Sequence, residues 1–200
     1  MTSKQTIEYT GEYTSLSREA IIEEVAMQMS EKRMAHVLRV EETALRLAEK
    51  YEADLEKVSL AALLHDYAKE QSQGEMLDII ISENLDLDLI QYGNPIWHGP
   101  VGAHLARREF EVEDEEILEA IEKHTIAGAE MGLVAKIIYV ADYIEPARDF
   151  AGVEKARQLA DESLDEAVRY EVLSTMKYLV SNKKKIYPKA MDSYNVWAAK

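Results

Sequence analysis

Apolar residues recur every three or four positions along most of this chain, and that spacing predicts amphipathic helices. Helices are predicted from residue 18, after a capping serine at position 17, and over residues 31–51, 55–68, 74–82, 98–110, 114–124, 133–144 and 163–181. No window alternates with the period of two that a half-buried strand shows. The expected fold class is therefore all-α, a single-domain helical bundle.

Little in the sequence divides the chain into parts. Its 200 residues contain no internal repeat, no low-complexity tract and no linker rich in glycine, proline or serine, and this length suits one hydrophobic core. We expect a flexible N-terminal tail at residues 1–16, one domain at 17–190 and a C-terminal tail at 191–200. In that last segment, Tyr194 to Trp197 are expected to pack on the core or on a neighbouring subunit of a homodimer.

Composition and charge exclude several classes of function. The chain has no cysteine, which excludes disulfides, a thiolate zinc site and a cysteine nucleophile and agrees with a cytoplasmic location. Its first residues lack a basic start followed by an apolar run, and apolar stretches such as 58–64 are too short to span a bilayer, so no membrane partner is expected. A formal net charge of −15 disfavours nucleic-acid binding. A phosphate substrate would also be repelled, unless metal ions or a few placed cations reverse the field locally.

Four ionisable residues stand out because their neighbours are apolar. His65 and Asp66 follow the apolar run 60–64, Asp142 lies alone within 137–144, and His36 lies between Ala35 and Val37. Buried groups of this kind are costly unless they are paired or bound to a metal, and imidazole and carboxylate suit zinc, manganese or ferrous iron. A His-Asp pair alone is a weak signal. Asp142 also fits a structural carboxylate that pairs with an arginine or a helix N-terminus.

Taken as a set, the four residues resemble the ligand pattern of the HD phosphohydrolase superfamily: a histidine, a His-Asp pair and a distant aspartate. Further segments resemble the bacterial HD-domain diadenosine tetraphosphate hydrolases that cleave symmetrically. They are Arg33-Met-Ala-His36, His65-Asp-Tyr-Ala-Lys69, Trp97-His-Gly-Pro-Val-Gly-Ala103, Lys123-His-Thr125 and Ala141-Asp-Tyr-Ile-Glu-Pro-Ala-Arg148. The resemblance runs from about Ser17 to Tyr187, and the Ala-Asp-Tyr-Ile-Glu-Pro stretch is its most specific part.

The resemblance implies a helical HD-domain bundle that cleaves diadenosine tetraphosphate into two ADP by metal-assisted attack of water on a phosphate. It implies iron in the site, with manganese or another divalent ion as alternatives. The implied metal ligands are His36, His65, Asp66 and Asp142, and the implied catalytic residues are Asp66, His98 and His124. The implied substrate contacts are Arg33, Asp66, Tyr67, Ala68, Lys69, His98, His124, Asp142, Tyr143, Ile144, Glu145, Pro146, Ala147 and Arg148.

The roles of the remaining polar residues stay open. Arg33, Lys69 and Arg148 could neutralise phosphate charge, or they could pair with the many acidic side chains. His98 and His124 could hold a second ion, donate hydrogen bonds to phosphate or act as a general acid. Both also fit a capping role at a helix end. His104 is expected to be structural, and both Trp97 and Tyr143 fit either the wall of a base pocket or the core.

Other functions remain as alternatives. One is a different HD nucleotide phosphohydrolase, acting on nucleoside mono- or triphosphates. A cyclic-dinucleotide phosphodiesterase of the HD-GYP kind is disfavoured, because no Gly-Tyr-Pro follows the His-Asp pair. A non-catalytic regulator that binds metal or nucleotide belongs to another class, and the complete set of four ligands argues against it.

Overall fold

The computed structural model describes residues 7–199, and every regular element in that range is helical. This confirms the all-α fold class. A short 3-10 turn lies at Leu87–Gln91. The helices are α1 (Arg18–Met27), α2 (Glu31–Tyr51), α3 (Leu55–Leu64), α4 (Gln73–Ser82), α5 (Asn94–Phe110), α6 (Glu115–Lys123), α7 (Leu133–Ile144), α8 (Val153–Glu162), α9 (Leu164–Ser181) and α10 (Pro188–Trp197).

Most helices begin where a short polar side chain can accept a hydrogen bond from the first turn. Ser17 caps α1, Ser30 caps α2 and Asp54 caps α3 in this way. Ser72 and Glu75 form a reciprocal capping box at the start of α4. Such caps satisfy amide groups that the helix itself leaves unpaired, and each contributes about 1 kcal/mol.

The centre of the bundle is α3, whose residues from Leu60 to Leu64 are fully buried. It packs against α2, α6 and α7, while α5 packs on α6 and α9 covers α7. The end of α3 therefore meets several helices inside the core. Polar residues placed at that end come close to residues of each neighbour.

Helix boundaries differ from the sequence prediction at two places that matter for the site. The helix predicted over 55–68 ends at Leu64, and a series of tight turns follows. The helix predicted from residue 98 begins at Asn94, with Pro95 in its first turn, where a missing amide hydrogen costs nothing. The 3-10 turn and helices α8 and α10 were not among the predicted elements.

Parts of both segments predicted as tails pack against the helical domain. Among residues 7–16, the Tyr9 hydroxyl lies 2.9 Å from Ser59 Oγ and the Thr14 hydroxyl donates to the Phe110 carbonyl at 2.7 Å. At the other end, Trp197 Nε1 donates to the Gly128 carbonyl at 2.7 Å. Tyr194 also packs on the core. The remainder of the predicted tails, residues 1–6 and 200, lies outside the described residues. No helix in the described part of the chain is long and apolar enough to cross a bilayer.

Candidate active site

Six ionisable residues from five parts of the fold converge at the end of α3. His36 comes from α2, His98 from α5 and Asp142 from α7, while His124 follows α6 directly. His65 and Asp66 form the turn after α3. Asp142 keeps 23% of its side chain exposed, whereas the other five residues are buried. The sequence-predicted ligands therefore come together, and the two additional histidines join them.

The four residues predicted as metal ligands are connected by short distances. His36 Nε2 lies 3.1 Å from Asp142 Oδ1 and 3.6 Å from Asp66 Oδ2, and His65 Nε2 lies 3.5 Å from the same Asp66 oxygen. Nitrogen and oxygen ligands at about 2.1 Å from one ion lie roughly 3–4 Å apart. The spacing thus suits a shared divalent cation.

All four histidines present Nε2 to the cluster, because Nδ1 is already used elsewhere. The Nδ1 atom lies 3.2 Å from Glu145 Oε1 in His36, and within 2.6 to 2.7 Å of a backbone carbonyl oxygen in the other three. A hydrogen on Nδ1 leaves a lone pair on Nε2, which is the form that binds a metal. Nε2 of His36 and of His65 is buried and has no hydrogen-bond partner among residues 7–199, as expected for atoms that would coordinate a metal ion. Imidazole nitrogen and carboxylate oxygen are suitable donors for Fe²⁺, Mn²⁺ or Zn²⁺.

The second oxygen of Asp66 faces the other pair of histidines. Oδ1 lies 3.4 Å from His98 Nε2 and 3.7 Å from His124 Nε2, and those two nitrogen atoms lie 3.0 Å apart. Two lone pairs cannot face each other at that distance, so either a proton or a cation must lie between them. Asp66 thereby links two groups of potential ligands.

Local geometry explains how these groups reach each other. Backbone hydrogen bonds from Tyr67 to Leu64 and from Lys69 to Asp66 wind the chain with a period of three, which places Asp66 and Lys69 on one side. On α5, Gly99 allows the end of α6 to approach, since a Cβ atom there would lie 2.5 Å from the Glu122 carbonyl oxygen. That approach brings His98 to His124.

A cavity of about 300 Å³ opens beside the cluster. Three cations reach it: Arg33 Nη1 lies 2.9 Å from Asp66 Oδ2, Arg148 Nη2 lies 2.5 Å from Asp142 Oδ1, and Lys69 Nζ lies 3.3 Å from His98 Nε2. The sequence left open whether these arginines pair with acidic side chains. They do, and their partners are Asp66 and Asp142, two of the predicted metal ligands. The lining residues are Arg33, Asp66, Lys69, Pro95, His98, His124, Thr125, Asp142, Arg148 and Glu171.

The charges around the cluster determine its protonation. Burial would raise the pKa of Asp66, but the nearby His65 and His124 imidazoles lower it well below its usual range. Burial, His124 and Lys69 together lower the pKa of His98 to about 3, so its imidazole is neutral. Desolvation also lowers the pKa of Lys69. Asp66 is therefore ionised.

Several predicted substrate contacts lie away from the cavity. Tyr67 is buried, and its hydroxyl donates to Glu109 at 2.7 Å. Ala68 and Ile144 belong to the core, and Tyr143 stacks edge-on against Phe150. Glu145 is buried against α2, while Pro146 and Ala147 are exposed in the loop that follows. Trp97 is also buried and its indole donates to the Leu89 carbonyl, so it belongs to the core.

The structure adds residues that motif reasoning missed. Pro95, Thr125 and Glu171 line the cavity. Glu171 is 6% exposed, and its Oε2 atom has no hydrogen-bond partner in the described part of the chain. Burial, reinforced by Asp142, raises the pKa of its carboxyl well above the usual range, although Arg148 opposes the effect. No spacing signal distinguishes this glutamate from the other acids of α9.

Arg157 of α8 holds the loop that carries Glu145 and Arg148. Its guanidinium donates to the carbonyl oxygens of Ile144, Glu145 and Arg148 at 2.9 to 3.0 Å. The Ile144 carbonyl lies at the end of α7, where a helix leaves its last acceptors unpaired, and the other two lie in the segment that follows. Arg157 thus fixes the position from which Arg148 reaches the cavity.

Sequence comparison agrees with this geometry. The profile of the HD domain family matches residues 33–147. The chain is 41% identical to the Bacillus subtilis protein called bis(5′-nucleosyl)-tetraphosphatase, symmetrical, over 90% of this chain and 97% of that one. It is also 41% identical to the Staphylococcus aureus protein of the same name, over 85% of this chain and 89% of that one. The resemblance inferred from the motifs is confirmed.

A solved structure shares the fold. It is a Clostridium acetobutylicum protein described as a predicted HD superfamily hydrolase involved in NAD metabolism. The two chains superpose with a TM-score of 0.87 at 35% identity, over 91% of this chain and 97% of that one. The helical bundle therefore belongs to an established architecture.

Proposed function

This chain belongs to the HD domain family, and on that premise we propose that it hydrolyses diadenosine tetraphosphate symmetrically into two molecules of ADP. The observation that carries the proposal is the buried cluster of four imidazoles and two carboxylates beside a cavity that three cations reach. Relatives about 40% identical over nearly their full length have this activity in their names. The proposed partners are accordingly a dinucleoside polyphosphate and ADP.

We propose that His36, His65, Asp66 and Asp142 hold a divalent cation, with iron as the resident ion. The support is their mutual spacing and the two buried Nε2 atoms without partners. The choice of iron rests on the motif resemblance, since the same donors also suit Mn²⁺. A bound divalent cation supplies Lewis-acid chemistry, which makes water more acidic and offsets phosphate charge.

The cations beside the cavity can counter the repulsion between this acidic chain and an anionic substrate. The chain carries a net charge of −15 and repels an anionic substrate at long range. Arg33, Lys69 and Arg148 line the cavity, where they can offset this repulsion and donate hydrogen bonds to phosphoryl oxygens. Fixed donors of this kind stabilise the charge that develops during phosphoryl transfer.

Hydrolysis also requires a proton at the leaving group. The oxygen of water binds one of the two central phosphorus atoms, and the bond from that phosphorus to the central bridging oxygen breaks. One ADP leaves with the bridging oxygen, which takes up a proton. His98 and His124 lie beside the cavity and are placed to provide that proton, while Asp66 is placed to orient the water.

A second, weaker ion is the alternative role of that histidine pair. The observation that favours it is the approach of both Nε2 atoms to Asp66 Oδ1, together with their 3.0 Å separation. A cation between them would replace the shared proton. Asp66 would then bridge two ions, as carboxylates do in two-metal hydrolases.

Turnover with and without a chelator tests the proposed function. Purified protein should hydrolyse diadenosine tetraphosphate, lose that activity after chelation and regain it when Fe²⁺ or Mn²⁺ is restored. Preference for nucleoside mono- or triphosphates would favour another HD phosphohydrolase. Nucleotide binding without hydrolysis, under every metal condition, would favour a regulator.

A cytoplasmic location and a homodimer stay predictions, to be checked by cell fractionation and by mass in solution.

A further inference from the structure

Glu145 is a buried carboxylate whose hydrogen bonds are all made within the protein. It follows α7 and is 2% exposed. Its Oε1 atom lies 3.2 Å from His36 Nδ1 and accepts from Arg39 Nη2 at 3.4 Å. Its Oε2 atom accepts from Arg39 Nε and from the Ala147 amide, each at 2.7 Å. A carboxylate has about four acceptor sites, so none remains for a substrate.

His36 differs from the other three histidines of the cluster in this partner. His65, His98 and His124 direct Nδ1 to a neutral backbone carbonyl, whereas His36 directs it to a carboxylate. A carboxylate fixes the Nδ1–H tautomer more strongly and makes the opposite nitrogen a stronger donor to a metal. That opposite nitrogen, Nε2, is the buried atom 3.1 Å from Asp142.

Arg39 keeps the carboxylate in place. It lies one helical turn after His36 on α2, so both side-chain partners of Glu145 project from the same helix. Arg39 Nε and the Ala147 amide both donate to Oε2 at 2.7 Å. The guanidinium of Arg39 forms an ion pair with the carboxylate and balances its charge.

We propose that Glu145 is a positioning residue for His36: it orients the imidazole and strengthens Nε2 as a metal ligand, and it makes no contact with the nucleotide. This replaces the substrate contact that the motif resemblance implied. The proposal rests on the metal site of the proposed function. It predicts that losing the charge of Glu145 weakens metal binding and leaves nucleotide affinity unchanged.

Glu145→Gln tests this, because glutamine keeps the shape and removes the charge. In titrations of metal-free protein, the affinity for Mn²⁺ should fall by about 10- to 100-fold, the usual loss for a partner of a ligand. At saturating Mn²⁺ the KM for diadenosine tetraphosphate should equal that of the wild type. Arg39→Met should give a smaller loss of Mn²⁺ affinity, since the carboxylate stays but is less well held.

Glu41→Gln is the matched control. Glu41 is also 2% exposed, and Arg18 donates hydrogen bonds to both of its carboxylate oxygens at 2.5 to 2.7 Å. Among the described residues, Glu41 forms no hydrogen bond with a histidine. Its variant should keep wild-type Mn²⁺ affinity. Equal losses in both variants would overturn the proposal by showing general damage to the core. Unchanged Mn²⁺ affinity with a raised KM in Glu145→Gln would overturn it in favour of a substrate contact. If the wild type itself bound no Mn²⁺, the proposed metal site would fail, and this proposal with it.

Discussion

Asp66→Ala is expected to remove bound metal and turnover together. Asp66 is central to the cluster: one carboxylate oxygen faces His36 and His65, and the other faces His98 and His124. Loss of a direct ligand should lower metal affinity by more than the roughly 100-fold that follows when only a partner of a ligand is lost. His65→Ala should behave in the same way. Metal per chain and the hydrolysis rate, measured on the same preparations, give the result.

His104→Ala is the control for these variants. His104 lies on α5 but lines a separate cavity together with Leu85 and Leu118, so metal content and rate should match those of the wild type. Full metal retention and turnover in both Asp66→Ala and His65→Ala would show that the cluster is not the metal site. Loss of metal in His104→Ala would show that histidine loss disturbs the fold generally.

His98→Ala and His124→Ala should separate phosphate chemistry from metal binding. We expect a loss of turnover of the order of 100-fold at saturating substrate, which is typical when one charge-stabilising donor is removed. The principal metal should remain, because His36, His65, Asp66 and Asp142 are unchanged. If a second, weaker ion binds at the pair, the metal content should fall from two ions per chain to one.

Two outcomes would reject this division of roles. Wild-type rates in both variants would return His98 and His124 to a capping role, consistent with their contacts to the Asn94 and Ile121 carbonyls. Complete loss of metal in either variant would make that histidine a principal ligand. The four-ligand set would then be wrong.

The sequence predicts most of the helices and the convergence of the ionisable side chains, because those features are local or interrupt an apolar pattern. His65, Asp66 and Asp142 stand out since each is ionisable among apolar neighbours. The turn at His65 is harder to predict, because the apolar residues Tyr67 and Ala68 follow His65 and Asp66 as if the helix continued. In a regular helix adjacent side chains point about 100° apart, and ending α3 at Leu64 lets both His65 and Asp66 face the cluster.

Contacts between distant segments could not be predicted in the same way. Arg157 is one of many charged residues on α8, and its binding to three carbonyl oxygens depends on how α8 packs beside the end of α7. Glu171 likewise resembles the exposed acids of α9 until the packing of α9 on α7 buries it. Helix α10 begins at Pro188 without a side-chain cap, so its start carries little local signal.

Product analysis of diadenosine tetraphosphate hydrolysis tests the central claim most directly. Metal-loaded wild-type protein is incubated with the substrate, and the nucleotides formed early in the reaction are separated by chromatography. Cleavage between the two central phosphorus atoms predicts ADP as the only nucleotide product. Equal amounts of ATP and AMP would contradict symmetrical cleavage, even though the protein would still be a phosphohydrolase.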